Sequence, residues 1–154
     1  MAIDLRFILA VIKINADVER VGDSATSISD RVRELQAFPV AEMPIDIPRM
    51  ASLAEAMVRK ALQSFIEADA AIAESVLSMD DTVDRLNESA YFALLNVMKS
   101  EPHLAPQALN ALMISRILER VADHATNIAE DVIFWVRGAD VRHHMFEPEP
   151  KPAT

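Results

Sequence analysis

The sequence predicts an all-α fold: an antiparallel three-helix bundle plus one additional long helix on its N-terminal side. Three observations carry that expectation. Of the 154 residues, 51% are apolar but only 5% are aromatic, and glycine occurs twice. Strands favour aromatic and β-branched side chains, and hairpins favour glycine. Apolar residues recur in steps of three and four over long stretches, the period of a helix with one buried face. The phrase ERVGDSATSIS at 19–29 returns as ERVADHATNIA at 119–129, so one helical unit is written twice.

Residues 4–36 read as one long helix capped by Asp4. Its apolar row is Phe7, Val11, Ile14, Val18, Val21, Ala25, Ile28, Val32 and Leu35. Three prolines in QAFPVAEMPIDIPRM, 36–50, mark an extended linker, because proline donates no backbone hydrogen bond. A second helix runs from about Pro48 to Glu67 and buries Leu53, Met57, Ala61 and Phe65. An unbroken helix over 49–99 would be roughly 75 Å long at about 1.5 Å per residue, too long for a compact domain. A break at Ala68-Asp69 is therefore expected. Asp69 then caps a third helix over 70–99, with Ile72, Val76, Val83, Ala90, Leu94 and Val97 inside. SEPHLAP, 100–106, is a loop, and Pro106 suits the first turn of a last helix. That helix ends near Arg137, with Gly138 as its C-cap. The tail FEPEPKPAT is expected to be disordered.

The same composition bounds function. With no cysteine, disulfides, thiolate nucleophiles and thiolate metal sites are excluded. A net charge of −9 without a Lys/Arg cluster argues against nucleic acid. The longest apolar run, FILAVI at 7–12, is too short to span a bilayer, and the N-terminus lacks a signal-peptide pattern. A soluble, cytoplasmic protein is the expectation. No nucleophile elbow, Gly-rich phosphate loop or triad spacing appears, so the residues give no positive argument for an enzyme.

The acidic residues are the chemical signal. Glu19 and Asp23 are four apart, which places them about 40° and about 6 Å from each other on one helix face. Ser27 and Asp30 continue that stripe. Glu119 and Asp123, followed by Asn127 and Glu130, repeat it. The third helix adds Asp80, Asp81, Asp84 and Glu88, flanking its buried row, so that Asp80 and Asp84 would face Glu119 and Asp123 across a helix pair. Stacked carboxylates repel, and a cation between them removes the penalty. Hard oxygen ligands suit Mg²⁺, Mn²⁺, Ca²⁺ or iron. The alternative is a solvated acidic face locally neutralised by Arg20 or Arg120. A ferritin-type di-iron site needs Glu-x-x-His, which is absent, since His124 lies five residues after Glu119. His124 is either an outer ligand or a hydrogen-bonded histidine, and His143-His144 read as solvated.

ERVADHATNIAEDVIFWVRGADVRHH, 119–144, resembles the end of the second repeat of the PhoU family, regulators of bacterial phosphate uptake. DLRFILAVIKINADVERVGD, 4–23, resembles the third helix of that family's first repeat, and SMDDTVDRLNE, 78–88, is similar to the acidic segment of the second repeat's middle helix. The resemblance implies a division of the chain. Residues 1–37 would be the third helix of an incomplete first repeat that lacks its first two helices. A Pro-rich linker over 38–48, the second repeat over 49–138 and a disordered tail over 139–154 would follow. It also implies multinuclear or divalent metal, as iron, zinc, manganese or magnesium. The second-repeat ligands would be Asp80, Asp84, Glu119 and Asp123, with Glu19 and Asp23 left from the first repeat.

By the same resemblance the chain would be a non-enzymatic negative regulator of phosphate uptake and phosphate-starvation signalling. Its partners would be the ATPase subunit of the phosphate ABC transporter and the phosphate-sensing histidine kinase. It would meet the membrane only through them. With two helices missing, the row Phe7, Val11, Ile14, Val18, Val21 and Ile28 needs cover. The helix either folds back on its own bundle or pairs with another copy, and a homodimer through the N-terminal helix is the favoured expectation. The alternatives are an accessory protein of a non-ABC phosphate or cation permease, a metal-dependent hydrolase, or a truncated remnant.

Overall fold

The structure, a computed structural model, describes residues 2–138 and residue 141. The expected disordered tail and the His143-His144 pair lie outside those residues. Among the described residues there are four α-helices: α1 (Ala2–Leu35), α2 (Ile47–Glu67), α3 (Ala70–Ser100) and α4 (Ala105–Arg137). A single 3₁₀ turn, Pro102–Leu104, joins α3 to α4. None of these helices is long and apolar enough to cross a membrane.

Local chemistry sets the boundaries. Asp46 accepts a hydrogen bond from the Arg49 backbone N–H at 3.0 Å, which satisfies an orphan donor at the start of α2. Asp69 does the same for α3, accepting from Ala71 N–H at 2.7 Å and Ile72 N–H at 3.2 Å. Between them Ala68 turns left-handed, with φ 50° and ψ 40°. Its N–H reaches Phe65 O at 3.3 Å and the Asp69 N–H reaches Ser64 O at 2.9 Å, so the last carbonyls of α2 are satisfied as in a Schellman motif. Gly138 ends α4 at φ 72°, where a side chain would run into the Arg6 guanidinium.

α4 is the shared helix of the fold. It packs on α1, α2 and α3, and fifteen of its 33 residues are buried, against six of 31 in α3. Ile114, Leu118, Ala122, Ala125, Ile128, Ala129, Val132 and Ile133 run along its length in the main core. Met57, Ala61, Val76 and Val83 meet them from α2 and α3.

α1 lies antiparallel along α4 of its own chain, the less favoured of the two arrangements expected from sequence. Its seam is Ala10, Ile14, Asp17 and Ser24, all buried, with Val21, Ile28 and Leu35 partly buried. The predicted apolar row is thus split. Ile14, Val21, Ile28 and Leu35 turn to α4, while Phe7, Val11, Val18 and Val32 stay largely exposed. Two polar side-chain contacts pin the seam. Lys13 Nζ sits 3.2 Å from Asp131 Oδ1, and His124 Nδ1 sits 2.9 Å from Asp17 Oδ1. At the end of the seam Phe7 stacks on Phe65 of α2 and meets Trp135 of α4, with centroids 6.1 and 5.0 Å apart.

A left-handed alanine costs about 1–2 kcal/mol relative to the right-handed form, and glycine does not incur that cost. Ala68→Gly is therefore expected to raise the unfolding free energy by about 1 kcal/mol. Urea denaturation of the two proteins measures it, and an unchanged or lower midpoint counts against the strain at this turn.

Candidate metal centre

α3 and α4 present their acids to the same groove. Asp80 and Asp84 stand one turn apart on α3, and Asp123 stands opposite on α4. One carboxylate oxygen of each lies within 4.8 Å of the others. Asp80 is half-buried, whereas Asp84 and Asp123 are exposed. Glu119, one turn before Asp123, is half-buried at the edge of this group and receives a hydrogen bond from Asn87. Asn87 is itself oriented by Ser115, whose hydroxyl donates to its Oδ1 at 2.8 Å.

The electrostatics follow from this crowding. Burial, then the charges of Asp84, Asp123, Asp81 and Glu119, push the Asp80 carboxyl up to about 6. Burial, then Asp123 and Asp84, raise Glu119, with Arg116 and the Asn87 hydrogen bond opposing. Asp123 rises through burial of its carboxylate and then Asp84, opposed by His124 and Arg120. All three carboxylates are held where their charge is unwelcome.

The rest of the chain shows the contrast. Asp17, Asp30, Glu34, Glu55, Glu74 and Asp131 each pair with Arg, Lys or His. Among the described residues no such ion pair reaches Asp80, Asp84 or Asp123. Asp80 Oδ1 is buried and has no hydrogen-bond partner. Hard oxygens and mutual repulsion, with no direct ion pair to them among the described residues, are what a divalent cation would relieve, so these residues fit such an ion.

The other sequence candidates fall elsewhere. Glu19 and Asp23 are exposed on the outer side of α1, and the structure does not bring them to the group. Asp30 pairs with Arg33 at 3.0 Å. Glu88 is exposed and lines a neighbouring cleft, Asn127 lines a cleft on the α1 side, and Glu130 is half-buried outside the group. His124 turns toward α1 and Asp17. Asp17 and Asn87 went unnoticed in the sequence. The signal for Asp17 was its place in the row Ala10, Ile14, Asp17, Val21, Ser24, Ile28, a three-four alternation that carries an acid inside an otherwise small and apolar seam.

The chain is similar to known proteins over most of its length. The PhoU domain matches residues 47–132. A phosphate-specific transport system accessory protein PhoU homolog of Pseudomonas aeruginosa is 40% identical over 145 residues, covering 92% of this chain and 59% of the relative. The homolog of Deinococcus radiodurans is 34% identical over 139 residues, covering 90% of this chain and 65% of the relative. The chain thus spans about three fifths of the length of the curated relatives it matches. The crystal structure of PhoU from Pseudomonas aeruginosa superposes with a TM-score of 0.86 at 37% identity, over 90% of this chain and 67% of that one. The phosphate transport system regulatory protein PhoU from Streptococcus pneumoniae gives 0.83 at 28%, over 92% and 67%.

The raised Asp80 carboxyl makes stability depend on pH. Between the ordinary value of 3.8 and about 6 the folded state binds more protons than the unfolded state. Stability contributed by this group therefore falls as pH rises through that window, and the penalty is complete above about 6. In chelator at pH 7, Asp80→Asn is expected to be more stable than wild type, with the gain shrinking toward pH 4. Urea titrations at both pH values measure it, and equal midpoints at pH 7 would remove the crowding argument.

Proposed function

The chain belongs to the PhoU family, and on that premise we propose that it is a regulatory accessory protein of phosphate transport that works by binding rather than by catalysis. One observation carries this reading. The unpaired acid group lies wholly within the matched segment, 47–132, so the family relationship and the candidate site fall in the same piece of chain. The names of the relatives, accessory and regulatory proteins of phosphate transport, support the biological setting.

In this reading Asp80, Asp84 and Asp123, with Glu119 at the edge, hold one or more divalent ions. The ion neutralises the acids and ties α3 to α4. Glu19 and Asp23 take part only if a further segment or chain supplies ligands to them. The regulator acts at the cytoplasmic side of the membrane, lowering phosphate uptake and starvation signalling through the transporter's ATPase subunit and a phosphate-sensing histidine kinase. A second copy fits the outer face of α1, where Leu5, Ile8, Leu9 and Ile12 are exposed at helical spacing.

Two measurements test this. Glu119→Ala combined with Asp123→Ala is expected to weaken Mn²⁺ binding by more than about tenfold by calorimetry. Equal affinity in the two proteins would sink the site assignment. In cells whose own regulator is deleted, the chain is expected to restore repression of alkaline phosphatase in phosphate-rich medium. High phosphatase with the folded protein present would overturn the regulatory reading.

A further inference from the structure

Next to the acid group, α3 and α4 form a cleft of about 330 Å³ with two chemically different halves. One part is polar, with Asn87 and Glu88 from α3 and Arg116 and Glu119 from α4, two carboxylates to one guanidinium. The other is apolar, with Tyr91, Phe92 and Leu112. Tyr91 and Phe92 lie edge to face, centroids 5.3 Å apart, and remain 45% and 56% exposed. Two aromatic rings left this open on a helix carry a cost that a partner would remove. Leu109 and Met113, also exposed, extend the apolar surface along α4 at four-residue spacing.

Arg116 lines the same cleft and lies close enough to Glu119 to favour its charged form. That leaves Glu88, for which no ion pair exists among the described residues. The cleft therefore offers a carboxylate beside aromatic faces. The side chain that satisfies both at once is arginine. Its stem is apolar, its guanidinium stacks on aromatic rings, and its fork donates two parallel hydrogen bonds to a carboxylate.

We propose that this cleft receives an arginine side chain of a partner protein, with apolar residues beside that arginine covering Tyr91 and Phe92. The charge of the chain, −9 overall, favours approach of such a basic segment. The proposal deepens the accessory-protein reading by naming what the docked segment carries. The carboxylate that carries it is Glu88, which is no part of the acid group, and Glu119 only borders both, so variants at Glu88 separate the two readings.

The test uses the full chain and three peptides that share a Leu-Leu-X-Leu-Leu sequence, with X arginine, lysine or citrulline. Citrulline keeps the shape of arginine and lacks its charge. Amide chemical shifts followed during titration are expected to move at 87–92 and 112–119. The arginine peptide is expected to bind roughly fivefold tighter than the citrulline one, with lysine between. Glu88→Gln is expected to erase the preference for arginine, and Phe92→Ser to weaken all three, while Mn²⁺ affinity stays at the wild-type value. The proposal is overturned if citrulline binds as well as arginine. It is also overturned if shifts gather on the outer face of α1, if Glu88→Gln changes nothing, or if free arginine binds as tightly as the peptide.

Discussion

Every helix in this protein is organised by contact with α4. A helix flanked by three others has little surface to spare for charge, and α4 answers with small and aliphatic residues around most of its circumference. The small ones matter as much as the large. Ala111, Ala122, Ala125 and Ala129 let neighbouring backbones approach, while Ile128, Val132 and Ile133 fill the space between them. The charged residues that remain on α4 are confined to the lines between helices. Asp131 and His124 sit on the α1 side and find partners there, whereas Glu119 and Asp123 sit on the α3 side, where the nearest charges of α3 are further acids.

The repeated phrase gains a physical meaning from this placement. Val21 and Val121 occupy the same position in the two copies, and both line one cleft where α1 passes α4. Ile28 and Ile128, also equivalent, both contribute to the core. One side of the phrase is therefore a packing surface. The other carries Glu19 and Asp23 in the first copy and Glu119 and Asp123 in the second. In the second copy that side meets α3 and its acids become crowded, with the burial and repulsion described for Asp123. In the first copy the same side looks into water. The same Glu-x-x-x-Asp spacing gives different electrostatics because the neighbour differs.

Much of this was legible beforehand. The limits of the last three helices followed from Pro48, Asp69, Pro106 and Gly138, residues whose backbone chemistry constrains where a helix starts or stops, whereas Asp4, expected to cap the first helix, lies inside α1. The meeting of Asp80, Asp84 and Asp123 followed from four-residue spacing beside buried rows. The orientation of α1 did not follow. Its apolar residues cover more than half of the helix, since Phe7, Val11, Val18 and Val32 extend the face made by Ile14, Val21 and Ile28. Hydrophobicity alone could not choose between them. The choice was made by Asp17 and Ser24, polar residues in the seam that gain partners or fit closely there, and polarity in a seam is read from sequence as exposure. His124 was ambiguous for the same reason, being resolved only by Asp17 across the helix pair.

The seam between α1 and α4 joins distant parts of the chain, since Lys13 and Asp131 are 118 residues apart. At a ribosomal rate of about 5–20 residues per second, α1 waits roughly 6–24 seconds before its docking surface has been made. Through that interval the face of α1 that meets α4 in the finished fold has no partner from α4. Of the four described helices, the last to emerge is thus the one that closes the core. Until α4 has been made, Ile14 and its neighbours on the seam lack the surface that buries them in the finished fold. A fold centred on the last of its described helices leaves its long-range contacts to be made late.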